Sequence, residues 1–308
     1  MTLGSIHILE ADRPTGLATV RALFNYGSAH PSRCMSITAG VSRKASDEIR
    51  KKLADYGADV YTIDDPNNIK FNDDVHKLMI TLHPERLDAG FIYLETALRD
   101  KVPFILLQSV VMADERKDYV GKKFGELEAV FNQWNEKECS RTEHIHRNWT
   151  ILRTGIYDHY LLAFKDCIKN GILDLPIGDG KFAPIAVEDV GVVTSEILEK
   201  SEKYYFKTYT ITGHELISGE HLAHGLSQAL GYQIKYEPSS DPSHVKEKHI
   251  KESVTSPIEA STVSHLFELI KENKFNYVSP HSTDIEKWKP KTVEEFFLEH
   301  KDELQQTK

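Results

Sequence analysis

Predicted β-strands alternate with predicted amphipathic helices along the first half of the chain, and this alternation restricts the fold more than any other feature of the sequence. The strands are short apolar runs, and the helices between them carry apolar residues at helical spacing. The predicted segments are strands at 5–9, 34–38, 60–63, 77–82, 103–111 and 149–154, and helices at 16–26, 46–56, 88–99 and 119–134. Such alternation is typical of βαβ units with right-handed crossovers, so we predict an α/β fold around a doubly wound parallel sheet.

The pattern becomes less regular after residue 154, where short strands and helices follow one another at uneven spacing. The predicted segments there are helices at 189–200, 219–230 and 259–272 and strands at 209–212 and 233–236. We therefore predict a core at 1–154 and a smaller C-terminal α+β lobe at 155–308, interleaved with the core within one overall domain. Doubly wound sheets bind ligands outside the carboxyl ends of their strands, so a small-molecule ligand is expected in the cleft between core and lobe.

Charge and composition argue against several classes of partner. The 308-residue chain has a net charge of −9, with both signs interspersed and no basic stripe. Direct binding of nucleic acid or of an anionic membrane surface needs clustered Lys and Arg. No apolar window approaches the ~20 residues that a membrane-spanning helix needs. We expect neither nucleic acid nor a membrane as a partner.

The three cysteines bear on the cellular compartment. Cys34, Cys139 and Cys167 are far apart and form no CxxC motif, which favours a reducing compartment. The first residues lack the basic segment and the apolar run of a secretory signal. The predicted location is the cytoplasm, with the nucleus as the alternative.

One pair of imidazoles raises the question of a metal. His144 and His146 stand two positions apart, a spacing that puts both on one face of a strand. No third or fourth ligand can be named, so a hydrated loop is favoured and no metal site is predicted.

The turn after the first strand is the place where a Rossmann-type protein binds the pyrophosphate of a dinucleotide. Backbone N–H groups at the helix N-terminus face the phosphates, and glycines let the chain come close. Residues 10–16 read E-A-D-R-P-T-G. Against the G-x-x-G-x-x-G spacing, Glu10 takes the first glycine position and Arg13 the second, so that only Gly16 remains.

These substitutions are unfavourable to an ordinary dinucleotide site. Glu10 and Asp12 place carboxylates where a dianionic pyrophosphate would lie, and Arg13 compensates in charge while filling space. Pro14 removes one N–H donor but suits the first turn of a helix. The favoured interpretation is a turn that keeps the fold, with Gly16 needed for close packing, and that has lost tight cofactor binding. The alternative is an unusual turn at which Arg13 and Gly16 still bind NADP or NAD.

The second strand is followed by two basic residues. Arg43 and Lys44 are in a position to meet a 2′-phosphate, which would favour NADP over NAD. A solvated surface pair is the more common explanation of such residues.

A catalytic set is suggested by Ser109 at the end of the fifth strand and by Tyr119 and Lys123 in the spacing Y-x-x-x-K. In this chemistry Tyr exchanges a proton with a carbonyl or alcohol oxygen, Lys lowers the Tyr pKa, and Ser orients the substrate oxygen. The alternative is that Tyr119 and Lys123 are an aromatic residue and a solvated cation at a helix start.

The chain resembles the NmrA-like family of atypical short-chain dehydrogenases/reductases over nearly its whole length. The resemblance is carried by the order and spacing of several landmarks. These are the first βα unit around 8–23, the G-E-L-E-A-V-F helix at 125–131, the T-I-L-R-T-G-I-Y strand and turn at 150–157, the G-D-G-K segment at 178–181 with V-E-D-V at 187–190, Y-T-I-T-G at 209–213, and K-T-V-E-E-F at 291–296.

At the carboxyl ends of the strands, the expected pocket is lined by Leu82, His83, Ser109, Val110, Tyr119, Gly155, Ile156 and Tyr157, of which Leu82, His83, Ile156 and Tyr157 are candidate cofactor contacts. The resemblance implies a place near the nicotinamide for His83, which follows the fourth strand, although a solvated loop is the more common setting for such a histidine. The family contains regulators that bind NAD(P) and act through protein partners, and NAD(P)H-dependent reductases of quinones or phenolic ethers. This chain departs from the family at the degraded turn. It also departs at the central helix, where Phe124 rather than Lys123 aligns with the usual lysine.

Two functions follow from these features. The first is an NmrA-like regulator or NAD(P)-sensing pseudo-dehydrogenase that acts through a protein partner, with NADP or NAD binding weak or lost. The alternative is an NAD(P)H-dependent oxidoreductase of quinone or carbonyl substrates that uses Tyr119 and Lys123. Similarity of fold cannot choose between them, because function belongs to the site.

Overall fold

The computed structural model describes residues 4–30, 35–138, 148–239, 243–252, 256–283, 285 and 289–305. The chain divides into two compact units. The first comprises the described parts of Met1–Thr154 and Val190–Tyr209, and the second those of Gly155–Asp189 and Thr210–Lys308. The boundary after Thr154 lies where the sequence pattern changes, but the segment 190–209 returns to the first unit.

The first unit is built on a seven-stranded sheet with the strand order β3-β2-β1-β4-β5-β6-β8. Its elements are β1 Ser5–Leu9, α1 Pro14–Ala29, β2 Ser36–Ser42, α2 Asp47–Asp55, β3 Ala58–Ile63, β4 Val75–Ile80, α3 Ala89–Arg99, β5 Phe104–Val110, α4 Tyr119–Glu138, β6 Asn148–Thr154, α6 Val187–Glu199 and β8 Lys207–Ile211. Strands β1 to β6 pair in parallel. The predicted Rossmann-type α/β fold is confirmed.

The second unit carries mainly helices and one small parallel sheet of β7 and β9. Its elements are α5 Lys165–Lys169, β7 Ile172–Leu173, α7 Gly219–Leu230, β9 Lys235–Tyr236, α8 Ser243–Lys251, α9 Pro257–Lys271, α10 Val293–Glu299 and α11 Lys301–Leu304. None of the helices in the described ranges of either unit combines the length and apolarity needed to cross a bilayer.

Local sequence signals account for where the helices begin. The Ser46 hydroxyl accepts a hydrogen bond from the Ile49 N–H at the start of α2, and Ser256 does the same for Glu259 at the start of α9. At α10, Thr292 and Glu295 form a reciprocal capping box. Each cap satisfies backbone donors that a helix N-terminus leaves unpaired.

The centre of the sheet is buried on both faces. Every residue of β5 from Phe104 to Ser109 is buried, as expected for a parallel strand covered by helices on each side. The chain runs from β1 outward through β2 and β3 and then returns to β4 on the other side of β1. The strand order therefore reverses at β1, and the carboxyl ends of β1, β2 and β4 form the switch point at which such sheets bind ligands.

Candidate functional site

The turn between β1 and α1 begins at Glu10, which adopts a backbone φ of 52°. This left-handed conformation favours glycine, which explains why the family pattern has glycine here. The Glu10 side chain is fully buried, and its carboxylate accepts hydrogen bonds from the His83 N–H at 2.6 Å and the Tyr93 hydroxyl at 3.2 Å. Burial raises the pKa of Glu10, against the opposing effects of the His83 N–H and of Arg86. The Glu10 carboxylate thus lies in the protein interior, where the His83 N–H and the Tyr93 hydroxyl donate hydrogen bonds to it.

Asp12 bridges the two sides of the switch point. Its carboxylate accepts hydrogen bonds from the N–H of Ser42 at 3.0 Å and the hydroxyl of Ser42 at 2.6 Å, at the end of β2. The other contact is with the Nε2 atom of His83, at 3.1 Å, in the segment after β4. Burial by itself would raise the pKa of Asp12, but the hydrogen bonds from His83 and Ser42 outweigh it and hold the pKa well below its usual range. Asp12 is therefore a carboxylate at neutral pH.

The retained glycine of the turn is required by packing. A Cβ atom on Gly16 would lie 2.7 Å from the Cα atom and 2.9 Å from the carbonyl oxygen of Ala11. The Ala11 N–H in turn donates to the Gly40 carbonyl at 2.8 Å, which ties the turn to β2. The close approach of α1 to the turn, which a dinucleotide site of this type needs, is preserved.

The basic candidates lie around this turn in different surroundings. Arg13 is the residue before α1 and its N–H donates to the Glu10 carbonyl at 3.0 Å. Arg43 is exposed after β2 and pairs with Asp64 at 2.7 Å, while Lys44 lies 3.7 Å from Glu85. Both ion pairs are exposed and screened by solvent, so Asp64 holds Arg43 only weakly.

The three catalytic candidates enter separate interactions. Ser109 is buried, and its hydroxyl donates to the carboxylate of Glu128. Tyr119 is 49% exposed at the start of α4. The Lys123 ammonium lies 2.9 Å from Asp88, and the hydrogen bond to that carboxylate raises the Lys123 pKa. The contacts in the described residues do not join Ser109 to Tyr119 or Lys123, and their catalytic roles stay a prediction.

An ion pair between Arg153 and the buried Glu128, not predicted from the sequence, lies next to Ser109. The Arg153 guanidinium contacts Glu128 at 3.1 Å through Nε and Asp114 at 3.0 Å through Nη1. The ion pair could have been predicted from the sequence, because an arginine within the apolar strand β6 requires a carboxylate partner that is buried or half-buried. Ser109 is therefore held by a charged cluster as well as by its strand.

The remaining pocket candidates belong to different environments. Leu82 is buried beside His83 in the first unit. In the second unit Ile156 is buried and its carbonyl accepts from the Ile185 N–H at 2.9 Å. The Tyr157 ring stacks on His159 with centroids 5.3 Å apart.

Within the described ranges, no group of three or more His, Cys, Asp or Glu side chains could hold a metal ion. His144 and His146 lie outside the described residues.

Comparisons with known proteins identify the fold. No family model matches the chain. The chain is 26% identical over 134 residues to an NAD(P)H azoreductase of Xenophilus azovorans, which is 43% of each protein. It is 27% identical over 135 residues to the Prestalk A differentiation protein A of Dictyostelium discoideum, which is 44% of each protein. The matched segment thus spans less than half the length of these curated relatives.

Two solved structures match nearly the whole chain. The triphenylmethane reductase of Citrobacter sp. complexed with NADP(H) has a TM-score of 0.76 at 16% identity and covers 96% of this chain and 100% of its own. The NADPH-dependent quinone oxidoreductase of Escherichia coli complexed with NADPH has a TM-score of 0.74 at 18% identity, with 96% and 99% covered. At these identities the matches show a shared fold, in agreement with the Rossmann-type α/β fold that the sequence predicts.

Proposed function

We propose that this chain is an NAD(P)H-dependent oxidoreductase that reduces quinone or carbonyl substrates. One observation carries the proposal, namely the likeness over 96% of the chain to reductases whose structures contain NADP(H) or NADPH. The partial similarity to an NAD(P)H azoreductase points to the same chemistry. Of the two functions predicted from sequence, the comparisons favour this alternative over the regulatory one.

The backbone at the switch point fits a dinucleotide. The contact of Gly16 with Ala11 leaves no room for a Cβ atom, and helix α1 points its N-terminus toward this turn. A helix N-terminus favours an anionic group through its N–H donors and its dipole. The Glu10 carboxylate does not oppose such a group, because it is buried and bonded to His83 and Tyr93.

The Asp12 side chain fits less well. Its charged carboxylate lies between Ser42 and His83, across the position where a pyrophosphate would pass. Binding of a dinucleotide would bring like charges together or require Asp12 to leave its partners. We therefore expect this chain to bind NADP(H) more weakly than a turn with three glycines would allow.

In the proposed reaction the cofactor supplies a hydride, and the chain supplies binding, orientation and a proton. Tyr119 is the proposed proton donor to the substrate oxygen, because this residue is 49% exposed and stands at the start of α4, after the switch-point strands. Lys123, four residues later, is the proposed ribose-binding residue once it exchanges Asp88 for the cofactor. Arg43 is the proposed contact of a 2′-phosphate.

The test is NADPH consumption at 340 nm with a quinone series such as menadione and 1,4-benzoquinone. We expect turnover with NADPH and a loss in kcat of about 10²-fold or more in Tyr119→Phe, which is the range for removing an acid–base group. Tyr205→Phe is the matched control, since it removes a hydroxyl whose contact is Ser201 at 3.5 Å. Equal turnover of the Tyr119→Phe variant and the unaltered chain would refute the assigned role.

A second function is favoured by the Asp12 bridge. A chain that binds NADP(H) only when Asp12 is displaced could report the cofactor level to a protein partner without chemistry. This sensor and the reductase share cofactor binding and differ in turnover. Binding of NADPH with no turnover on any quinone or carbonyl substrate would select the sensor.

A further inference from the structure

A second cavity lies in the first unit, at the end of the sheet opposite the switch point. Its volume is about 340 Å³, within the range of small-molecule pockets. Ile6 and Ile37, near the amino ends of β1 and β2, line it together with Leu23 and Phe24 of α1. Because a doubly wound sheet binds its nucleotide at the carboxyl ends of the strands, this cavity is separate from the proposed cofactor site.

The cavity has an apolar wall and an aromatic rim. Ile6 and Leu23 are buried, whereas Phe24 is 40% exposed. The rings of Phe24 and Tyr56 meet with centroids 5.7 Å apart, and Tyr26 also lines the cavity. Aromatic faces attract both apolar groups and cations.

One acidic side chain lines this otherwise uncharged space. Glu199, the last residue of α6, lines the cavity with both carboxyl oxygens buried. The Tyr26 side chain lies near this carboxylate and lowers its pKa as a hydrogen-bond donor, yet neither oxygen has a donor in full hydrogen-bond geometry among the described residues. The Lys77 ammonium, which comes from β4, donates to the main-chain carbonyls of Leu198 and Glu199. A buried carboxyl group without donors costs free energy unless a ligand supplies them.

We propose that this cavity binds a small primary or secondary amine carried on an apolar or aromatic body. The ammonium group would lie against the Glu199 carboxylate, and the body would fill the space among Leu23, Phe24 and Tyr56. The ammonium supplies the two or three donors that the carboxylate lacks, and the tyrosine rings add cation–π attraction. A neutral or anionic ligand of the same shape leaves Glu199 without a compensating charge.

The charge state of Glu199 gives the site a pH dependence. Burial raises the pKa of Glu199 to about 7, and the negative charge of Glu196 acts in the same direction. Tyr26, Lys200 and Lys77 oppose the shift. A bound ammonium stabilises the ionised carboxylate, so the affinity for the amine should be highest above pH 7 and should fall as the pH is lowered through about 7.

The test is calorimetric titration of the full chain with 2-phenylethylamine and with its neutral counterpart 2-phenylethanol at pH 8. We expect the amine to bind in the millimolar range or tighter, and at least tenfold more tightly than the alcohol. Glu199→Gln should weaken amine binding at least tenfold and remove the loss of affinity between pH 8 and pH 6. Glu202→Gln is the matched control, because it makes the same charge change at an exposed position in the same unit.

A second variant tests the same cavity independently, in case Glu199→Gln fails to fold. Ser28 is exposed on α1 and lines the cavity, so Ser28→Trp should fill the cavity without disturbing the core. We expect it to abolish amine binding while leaving NADPH binding unchanged. No amine binding by the unaltered chain, equal affinity in Glu199→Gln, or retained binding in Ser28→Trp would overturn the proposal. Since the cavity is distinct from the switch point, these outcomes are independent of the oxidoreductase activity.

Discussion

At the scale of single residues, two carboxylates two positions apart in one turn, Glu10 and Asp12, differ in the direction of their pKa shifts. Glu10 is enclosed by His83 and Tyr93, and burial raises its pKa, whereas the pKa of Asp12 is lowered by hydrogen bonds from His83 and Ser42 that outweigh its burial. From sequence, both were expected to repel a pyrophosphate in the same way. Only the structure shows that the Glu10 side chain is directed into the interior, and that Asp12 is the residue whose negative charge would face a pyrophosphate at this turn.

Replacement of Asp12 tests this distinction. Asp12→Asn removes the negative charge and keeps the shape, so we expect NADPH binding to tighten by about tenfold, or about 1.4 kcal/mol. Calorimetric titration of the variant and the unaltered chain measures the change. Asp59→Asn, an exposed position on β3, makes the same change in net charge and should leave the affinity as it was. An unchanged affinity in Asp12→Asn would show that the carboxylate does not oppose the cofactor.

Asp158 in the second unit should make stability depend on pH. Burial and the nearby Glu188 carboxylate raise its pKa to about 8, while Lys291 opposes the shift. Because Asp158 has a higher pKa in the folded state than in the unfolded state, its proton stabilises the fold. This contribution to the free energy of unfolding is fully present below the unfolded-state pKa of about 3.9 and is lost as the pH rises through the folded-state pKa of about 8. Between pH 6.5 and 8 the free energy of unfolding should fall by on the order of 1 kcal/mol per pH unit for this group.

Urea unfolding at several pH values measures that slope, and Asp158→Asn should flatten it. The buried His7 and His249, whose pKa burial lowers to about 4, gain protons on unfolding near pH 6.5 and add a slope of opposite sign, but they do so equally in both proteins and cancel in the difference between the variant and the unaltered chain. The same slope in the variant and the unaltered chain would contradict the assignment.

At the scale of elements, the contact between α1 and the preceding turn determines whether the switch point forms. Gly16→Ala would drive a methyl group against the Ala11 backbone, and overpacking of this kind costs about 1–3 kcal/mol. Gly225→Ala, inside α7, is the matched control, since its new Cβ would meet only the flexible Glu294 side chain at 3.3 Å. Thermal or urea unfolding should show Gly16→Ala less stable and Gly225→Ala unchanged or more stable, because alanine favours helices. Equal effects of the two changes would contradict the packing role of Gly16.

Most elements of the first unit were predictable because the spacing of apolar residues along the sequence indicates which side of a helix or strand is buried. The prediction for β1, 5–9, coincides with the observed strand, and that for α3, 88–99, is within one residue of it. The second strand was predicted at 34–38, whereas β2 runs from Ser36 to Ser42. Its Ala-Gly segment has little intrinsic strand preference, but pairing with β3 continues to Ser42. Tertiary pairing, which sequence patterns do not contain, sets that end.

At the scale of the whole molecule, the membership of the last strand in the large sheet was not predictable from local pattern. A strand was predicted at 209–212 in the C-terminal lobe, but β8 occupies Lys207–Ile211 and lies next to β6 as the seventh strand. The order of strands depends on long-range packing and not on sequence position. For the same reason, the approximate location of the candidate site could be predicted from the degraded turn, whereas the partners of Asp12, Glu10 and Ser109 could not.

The decisive experiment on cofactor binding is a calorimetric titration of the unaltered full chain with NADPH and, in parallel, with NADH. We predict saturable binding of NADPH in the micromolar to submillimolar range, tighter than that of NADH because Arg43 is available to a 2′-phosphate. Absence of binding at millimolar NADPH would contradict it, and would show that the fold of an NADP(H)-dependent reductase is kept here without its cofactor.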